Sequence, residues 1–295
     1  VSFTIDAKMS SSQLTTLHTC RLKWWFGYGK RYKPMARSEH LDLGTGIHEG
    51  LAAMYKTQAD PIHVFNVWMD KQISAVLQMK DSGGDLVSRA LENDVETLLE
   101  SKRLGTYMLE QYIIHHQHER LEVLQVEKEV FKPIPGTDWD YHAVIDLLVR
   151  DSRRRKKIYV VDHKTFTRFY LQYLEKDHQF VSYVWAAQDL IDEPIAGVIY
   201  NGLRKQQPGS KSKLDMFERH TLDINAQQVK LFLRRLRDAH DLLTSGKFKV
   251  YPEPNSMSCG FCEFRDPCTL YMKGEDYQFL LDNLYVKKED REVIE

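Results

Sequence analysis

Ile158-Tyr159-Val160-Val161-Asp162-His163-Lys164-Thr165 is a short β-branched run that ends on three titratable side chains. Its composition fits a strand. Side chains alternate along a strand, so Asp162 and Lys164 point to one face and His163 to the other. A carboxylate beside an ammonium suits metal-dependent hydrolysis. The Asp binds a hard cation, and the Lys orients the attacking water and offsets developing charge. An Asp-x-Lys on a strand is also a common surface salt bridge, so the preceding segment decides between the two. Ala143-Val144-Ile145-Asp146-Leu147-Leu148 is a second apolar strand with one acid inside it, where an unpaired charge is costly. A turn centred near Arg154 sets Asp146 opposite Asp162, and any register with an even index sum keeps both on one face. One hairpin then presents two carboxylates and a lysine together, and a cation there would neutralise Asp146.

Outward from this hairpin, strands are expected at 122–132, 139–150 and 157–163, forming a meander, then at 196–203 and 214–222. Helices are expected at 10–28, 43–58, 61–80, 86–118 (kinked near Gly105), 171–191 and 225–244. Ser10, Ser11 and Ser12 offer an N-cap to the first of these, which carries Cys20 and ends on Trp24-Trp25. Asp81-Ser82-Gly83-Gly84 reads as a break and the best candidate for a mobile loop. The order fits one α/β sheet with a helical N-terminal layer.

Composition narrows the class. The chain has 295 residues, 42% hydrophobic and 28% charged, with formal net charge −1. That length suits one large domain, or one with an added helical layer. No run of eighteen apolar residues is present, so no membrane association is expected. The start, Val1 to Leu14, lacks a basic segment followed by an apolar core, so no secretory signal is expected; it also lacks an initiator Met. A neutral net charge means that any phosphate-binding surface must be local.

Four cysteines complete the pattern. Cys259, Cys262 and Cys268 form a C-x2-C-x5-C run, and Cys20 stands far upstream. Four thiolates are what a [4Fe–4S] cluster requires. Zinc and unligated thiols are the alternatives, although zinc ribbons usually bring two close C-x2-C pairs. A cluster would pin the two ends of the chain together, and the chain-entropy model for so long a loop gives at most about 5 kcal/mol. Free or metal-bound cysteines point to a reducing, cytoplasmic setting.

These residues together resemble the PD-(D/E)XK nuclease superfamily, and within it the iron–sulfur RecB-like exonucleases, which include AddB-type and CRISPR-associated nucleases. Ser10-x-x-x-Leu14 with Cys20 resembles the family's first helix and first cluster cysteine. Gly44-Thr45-Gly46-Ile47-His48 resembles its G-x-x-x-H motif. Asp146 takes the first acidic position, Asp162-His163-Lys164 fills the (D/E)-x-K motif, and Gln179 to Tyr183 resembles its Q-x-x-x-Y helix. Cys259, Cys262 and Cys268 close the cluster. The match runs from about 10 to 270. Two positions depart from it: Arg21 where the family often has Pro, and Ala143 where it often has Gly.

The resemblance implies a restriction-endonuclease-like mixed sheet flanked by helices in a single domain over 1–295. It places a helical insertion at about 60–120, a catalytic sheet core at 120–222 and a cluster-binding segment at 250–270. It implies His48, Asp146, Asp162 and the main-chain carbonyl of His163 as ligands for Mg²⁺ or Mn²⁺, the imidazole favouring Mn²⁺. Lys164 would position the water, with Gln179 and Tyr183 beside it and Glu129 as a supporting acid. The implied activity is a DNA exonuclease acting on single-stranded ends, in recombination, repair or phage or CRISPR DNA processing. Alternatives are an adaptation subunit trimming DNA for an integrase, and a non-enzymatic cluster-stabilised DNA-binding module. No P-loop is present, so any helicase motor would come from a partner.

Weaker features are Arg153–Lys157, and Lys230, Arg234, Arg235 and Arg237, as phosphate contacts. His115, His116 and His118 read as an exposed tract rather than a metal site. Trp24, Trp25 and Tyr28 read as packing around the cluster rather than base-stacking platforms.

Overall fold

The computed structural model describes residues 7–35, 39–169, 171–210 and 214–288. Residues 1–6, 211–213 and 289–295, which belong to the expected chain start, to the loop before 214 and to the domain's end, lie outside the described residues. The first half runs β1 (Lys8–Met9), α1 (Ser11–Thr19), α2 (Arg21–Trp24), a π-helical turn (Trp25–Gly29), β2 (Tyr32–Pro34), α3 (Glu39–Thr57), α4 (Pro61–Ser82), α5 (Asp85–Ala90) and α6 (Asp94–His116). Then come β3 (Leu121–Pro133), β4 (Asp140–Asp151), β5 (Lys157–Phe166), α7 (Leu171–Leu174), α8 (His178–Ala187), a 3-10 turn (Gln188–Leu190), β6 (Ile195–Arg204), β7 (Phe217–Asp223) and α9 (Ala226–Thr244). The end holds α10 (Ser256–Gly260), α11 (Arg265–Lys273), α12 (Tyr277–Leu284) and β8 (Tyr285–Lys287).

The meander is present: β3 pairs antiparallel with β4, and β4 with β5. Leu147 faces Val161 and Arg150 faces Ile158, which centres the turn on Arg154 as expected. β5 then pairs parallel with β6, and β6 antiparallel with β7, so the sheet is mixed. The parallel step needs a crossover, which α7 and α8 supply. The short strand β1, absent from the sequence expectation, pairs parallel with Asp140 and Tyr141 at the start of β4. One edge of β4 is therefore taken by β1 at 140–141 and by β5 at 147–151. Asp146 falls in the opening between them.

Helices flank the sheet. The main apolar core joins Leu14, Leu148, Val160, Phe180, Tyr200 and Leu236, so α1, α8 and α9 pack against one face. A second core, with Ile47, Phe65, Met108 and Tyr112, holds α3, α4 and α6 together and reaches β6 through Leu203. Caps set the helix starts. Asp60 accepts from the Ile62 amide ahead of Pro61, and Asn225 forms a capping box with Gln228.

Several local expectations change. The 10–28 segment is not one helix. Ser10 caps α1 as expected, but Cys20 is extended (φ −162°, ψ 119°) and its sulfur caps α2 by accepting from the Lys23 amide. The Asp81–Gly84 loop shrinks to Gly83 and Gly84, because Asp81 and Ser82 finish α4. The expected long helix over 86–118 is split into α5 and α6, and that over 171–191 into α7, α8 and the 3-10 turn. α6 runs unbroken past Gly105; the glycine is there because the Phe65 ring packs on its Cα. Among the described residues no helix is long and apolar enough to cross a membrane.

Candidate metal centre

The site is assembled from the opening along β4, from β5 and from two helices. A cavity of about 630 Å³ is lined by Gly44, His48, Glu127, Asp146, His163, Lys164, Gln179 and Tyr183, among others. α3 brings His48, and its first turns cross close to β5. A side chain at Gly44 would begin 3.3 Å from the Thr165 hydroxyl, so the smallest residue suits that crossing. α8 brings Gln179 and Tyr183 on one face. Its N-cap Asp177 fixes the start by accepting from the Gln179 amide at 2.9 Å.

Three of the donor groups expected from sequence meet: Asp146, His48 and the His163 main chain. Asp146 Oδ2 accepts from the His163 amide at 2.8 Å, and His48 Nδ1 stands 3.4 Å from the same oxygen. His48 Nε2 donates to the His163 carbonyl at 2.7 Å. Lys164 Nζ donates to Asp162 Oδ1 at 2.8 Å. Asp162 is 1% exposed, and its Oδ2 has no partner. A buried, unpaired carboxylate oxygen is costly, and a divalent cation is the partner that this donor set would hold.

Electrostatics agree with that fit. Burial, opposed by Lys164, pushes the Asp162 carboxyl up to about 6. Burial also opposes ionisation of Asp146, but His48 beside it prevails and holds the carboxyl below the usual range. Burial disfavours a charged Lys164, yet Asp162 overcomes it and keeps the ammonium protonated. Gln179 Nε2 donates to the Tyr183 hydroxyl at 2.6 Å, so the two act as a unit in the cavity wall.

The His163 ring, on the opposite side of β5, closes a network that the sequence did not reveal. Asn201 Oδ1 accepts from Arg219 Nε and Nη2 at 3.0 and 2.6 Å. Its amide nitrogen therefore donates, to Tyr112 Oη at 3.1 Å and to His163 Nδ1 at 2.7 Å. Tyr112 and Tyr55 hydroxyls meet at 2.8 Å, and Tyr55 donates to Glu119 at 2.8 Å. Arg219 also pairs with Glu119, which closes the ring of bonds. These directions fix Nδ1 of His163 as the unprotonated nitrogen. Burial pushes the ring's pKa down to about 3, in keeping with a neutral imidazole.

Some expectations do not reach the centre. Glu129 takes His142 at 2.6 Å instead. Glu127, which sequence reasoning missed, does reach it: His48, Glu127 and Asp146 each offer an atom within 4.8 Å of the others. Glu127 falls level with Asp146 across β3 and β4 while Glu129 pairs with Val144, a register that the alternation of residue types does not record. The basic turn at 153–157 lies at the far end of β5, with Lys157 five strand residues, roughly 17 Å, from Asp162. Lys230 and Arg234 are exposed on α9, and Arg237 with them. Trp24 and Trp25 are buried, which rules out base stacking by either; Trp24 packs edge-on against Phe248. Among the described residues the 115–118 histidines form no metal-ligating group.

All four cysteines line a second cavity, of about 460 Å³. Amides of Lys23 and Glu253 point at the Cys20 sulfur, at 3.5 and 3.4 Å, and the Asn255 amide points at Cys259 at 3.4 Å. Burial, with the other three thiols adding to it, pushes Cys268 up to about 11. Among the described residues no three sulfurs lie within 4.8 Å of one another. The departure at Arg21 has a local reason. It is the first residue of α2, a position that Pro also suits, and its amide donates to Glu253 at 2.9 Å.

No curated protein matches the chain significantly. The crystal structure of SSO0001 aligns over 86% of this chain and 92% of its own, at 13% identity and a TM-score of 0.34, a likeness too loose to build on. The family model is decisive: the PD-(D/E)XK nuclease superfamily model matches residues 8–269, and the chain belongs to that superfamily, as a metal-dependent nuclease.

Proposed function

We propose that this protein is a DNA exonuclease of the iron–sulfur RecB-like group, acting on single-stranded ends with Mg²⁺ or Mn²⁺. The observation that carries the catalytic part is the buried Asp162 with its unpartnered Oδ2, set beside Asp146, His48 and the His163 carbonyl. In this reading these four hold the cation, which supplies Lewis acidity and an acidified water. Lys164, held by Asp162, orients the attacking water and offsets charge on the phosphate. Gln179 and Tyr183 position the lysine side of the cavity or a phosphate oxygen. Water's oxygen bonds to phosphorus and gives up a proton to solvent, the P–O ester bond breaks, and the departing oxygen takes a proton from solvent.

The [4Fe–4S] cluster on Cys20, Cys259, Cys262 and Cys268 is part of the proposal. Its support is one cavity lined by four thiols with amides aimed at two of them. The cluster would staple α2 to α10 and α11 within a single nuclease domain, with 60–120 as its helical insertion. A reducing cytoplasm suits these thiols, and a helicase or integrase partner would supply any duplex opening or DNA hand-over.

End-labelled linear single strands, blunt duplexes and closed single-stranded circles test the reading. Linear strands should be degraded fastest and circles should resist. Asp162→Ala and Lys164→Ala should abolish cleavage while DNA binding persists. Circles cut as fast as linear strands would refute the end requirement.

A further inference from the structure

Residues 23–33 and 285–288 hold six cations, Lys23, Lys30, Arg31, Lys33, Lys287 and Lys288, and no acid. The whole chain carries a formal charge of only −1, so this is a strong local departure. The fold brings the two segments together. β2 pairs antiparallel with β8, Tyr32 facing Lys287 and Lys33 facing Val286. Just past the strands, the Lys288 amide donates to the Arg31 carbonyl at 2.7 Å.

Several of these cations are already ordered by the protein itself. Lys287 Nζ donates to the Lys30 carbonyl at 2.8 Å and lies 3.5 Å from the centre of the Tyr32 ring. Lys288 Nζ donates to the Gly27 carbonyl at 2.9 Å and sits over the Tyr28 ring. Arg31 Nη2 donates to the Lys288 carbonyl at 3.1 Å. Lys30 and Lys33 are exposed beside them. Burial, above all, holds the Lys288 pKa below the usual lysine range; Glu263 opposes this, and the charges of Lys33, Arg31 and Lys23 add to it. A row of like charges along one ribbon favours a polyanion, whose docking releases condensed counterions. Holding ammonium groups in place beforehand lowers the ordering cost of that docking.

The ribbon is fastened between the cysteine segment and the metal centre. The Tyr285 ring stacks on Phe264 at 5.3 Å, and its hydroxyl donates to the Glu263 carbonyl at 2.7 Å, both between Cys262 and Cys268 in the chain. On the other side, Pro34 ends β2 and Gly44 lines the metal cavity. Ten residues of chain separate them and span at most about 36 Å.

We infer that the β2–β8 ribbon is a docking surface for the phosphate backbone of a DNA strand, outside the metal centre. This rests on the proposed action on DNA and adds to it the surface that holds the strand away from the reacting phosphate. The basic turn at 153–157 and the α9 arginines, the surfaces that the sequence pointed to, lack this ordered, acid-free arrangement.

DNA binding without divalent metal tests the inference apart from cleavage. The full-length protein, purified without oxygen, is titrated into a long labelled single strand at several salt concentrations, and affinity is read by fluorescence anisotropy. Each phosphate contact on a single strand contributes about 0.7 to the slope of log affinity against log salt, or about five-fold at 0.1 M salt. Lys30→Gln/Lys33→Gln should therefore lower the slope by about 1.4 and weaken binding by about 25-fold at 0.1 M salt. Lys56→Gln/Lys71→Gln removes the same charge from exposed positions on α3 and α4 and should keep the wild-type slope. With Mn²⁺ added, the ribbon variant should show a raised KM and an unchanged kcat. A wild-type slope in the ribbon variant, or an equal loss in the control pair, overturns the inference. So does polyglutamate that displaces the strand as readily as unlabelled DNA does. In each of these cases cleavage by the wild type leaves the nuclease reading standing. A wild type that binds no DNA at any salt concentration would sink both.

Discussion

Asn201→Leu probes whether the buried network behind β5 holds the metal centre in shape. Asn201 is 1% exposed and Leu has similar volume, so the change removes hydrogen bonds without opening a cavity. Four bonds go: two from Arg219, one to Tyr112 and one to His163. Arg219 keeps Glu119, and Tyr112 keeps Tyr55. His163 Nδ1 is left buried with no donor, and one unsatisfied buried group costs about 1–3 kcal/mol. With the lost charge-assisted bonds to Arg219, a total of about 3 kcal/mol is expected. For a domain of this size that is a fall in Tm of roughly 6–12 °C. The functional effect passes through the backbone, because the same residue gives its amide to Asp146 and its carbonyl to His48. Loss of such an outer support typically weakens metal affinity by about 10–100-fold. Asn201→Asp should recover part of both losses: its carboxylate accepts from Arg219 and from a ring that has moved its hydrogen to Nδ1. Thermal unfolding and Mn²⁺ calorimetry on the three proteins decide the matter. If Asn201→Leu unfolds at the wild-type temperature and binds Mn²⁺ with wild-type affinity, the network does not support the centre.

Three further outcomes follow from other parts of the molecule. Gly105→Ala would normally favour a helix by about 1 kcal/mol, but here its Cβ collides with Phe65, so a loss of about 1–3 kcal/mol is expected in denaturant melts; a gain in stability would show that α4 and α6 pack differently. Anaerobically purified protein should be brown with about four irons per chain, and Cys268→Ala should lose the colour and unfold at lower temperature; a colourless protein with one zinc would contradict this. Burial pushes the His116 pKa down to about 3. Its contribution is therefore intact above pH 6.5 and is lost as pH falls toward 3, because the unfolded chain binds the proton that the folded chain refuses. His116→Leu should flatten the acid limb of the stability profile by up to about 1 kcal/mol per pH unit, and an unchanged limb would count against the buried neutral ring.

The sequence alone fixed what depends on local periodicity and covalent spacing. Alternation along 143–148 and 157–165 placed Asp146, Asp162 and Lys164 on one hairpin, and the index sum centred its turn on Arg154. Helical spacing put Gln179 and Tyr183 on one face, and Ser10 marked a real N-cap. Tertiary structure decided the rest, since long-range contacts leave no periodic trace. The break at Cys20 arises because its sulfur must turn toward the distant 250–270 segment, whereas helical propensity alone favoured continuing through it. Glu127 rather than Glu129 reaches the centre because the β3–β4 register sets Glu127 level with Asp146 and Glu129 opposite Val144, and residue types do not record that register. The Asn201, Arg219 and Glu119 network was equally hidden. Its members come from β6, β7 and the turn after α6, and only the packing of those elements brings their polar groups together behind His163.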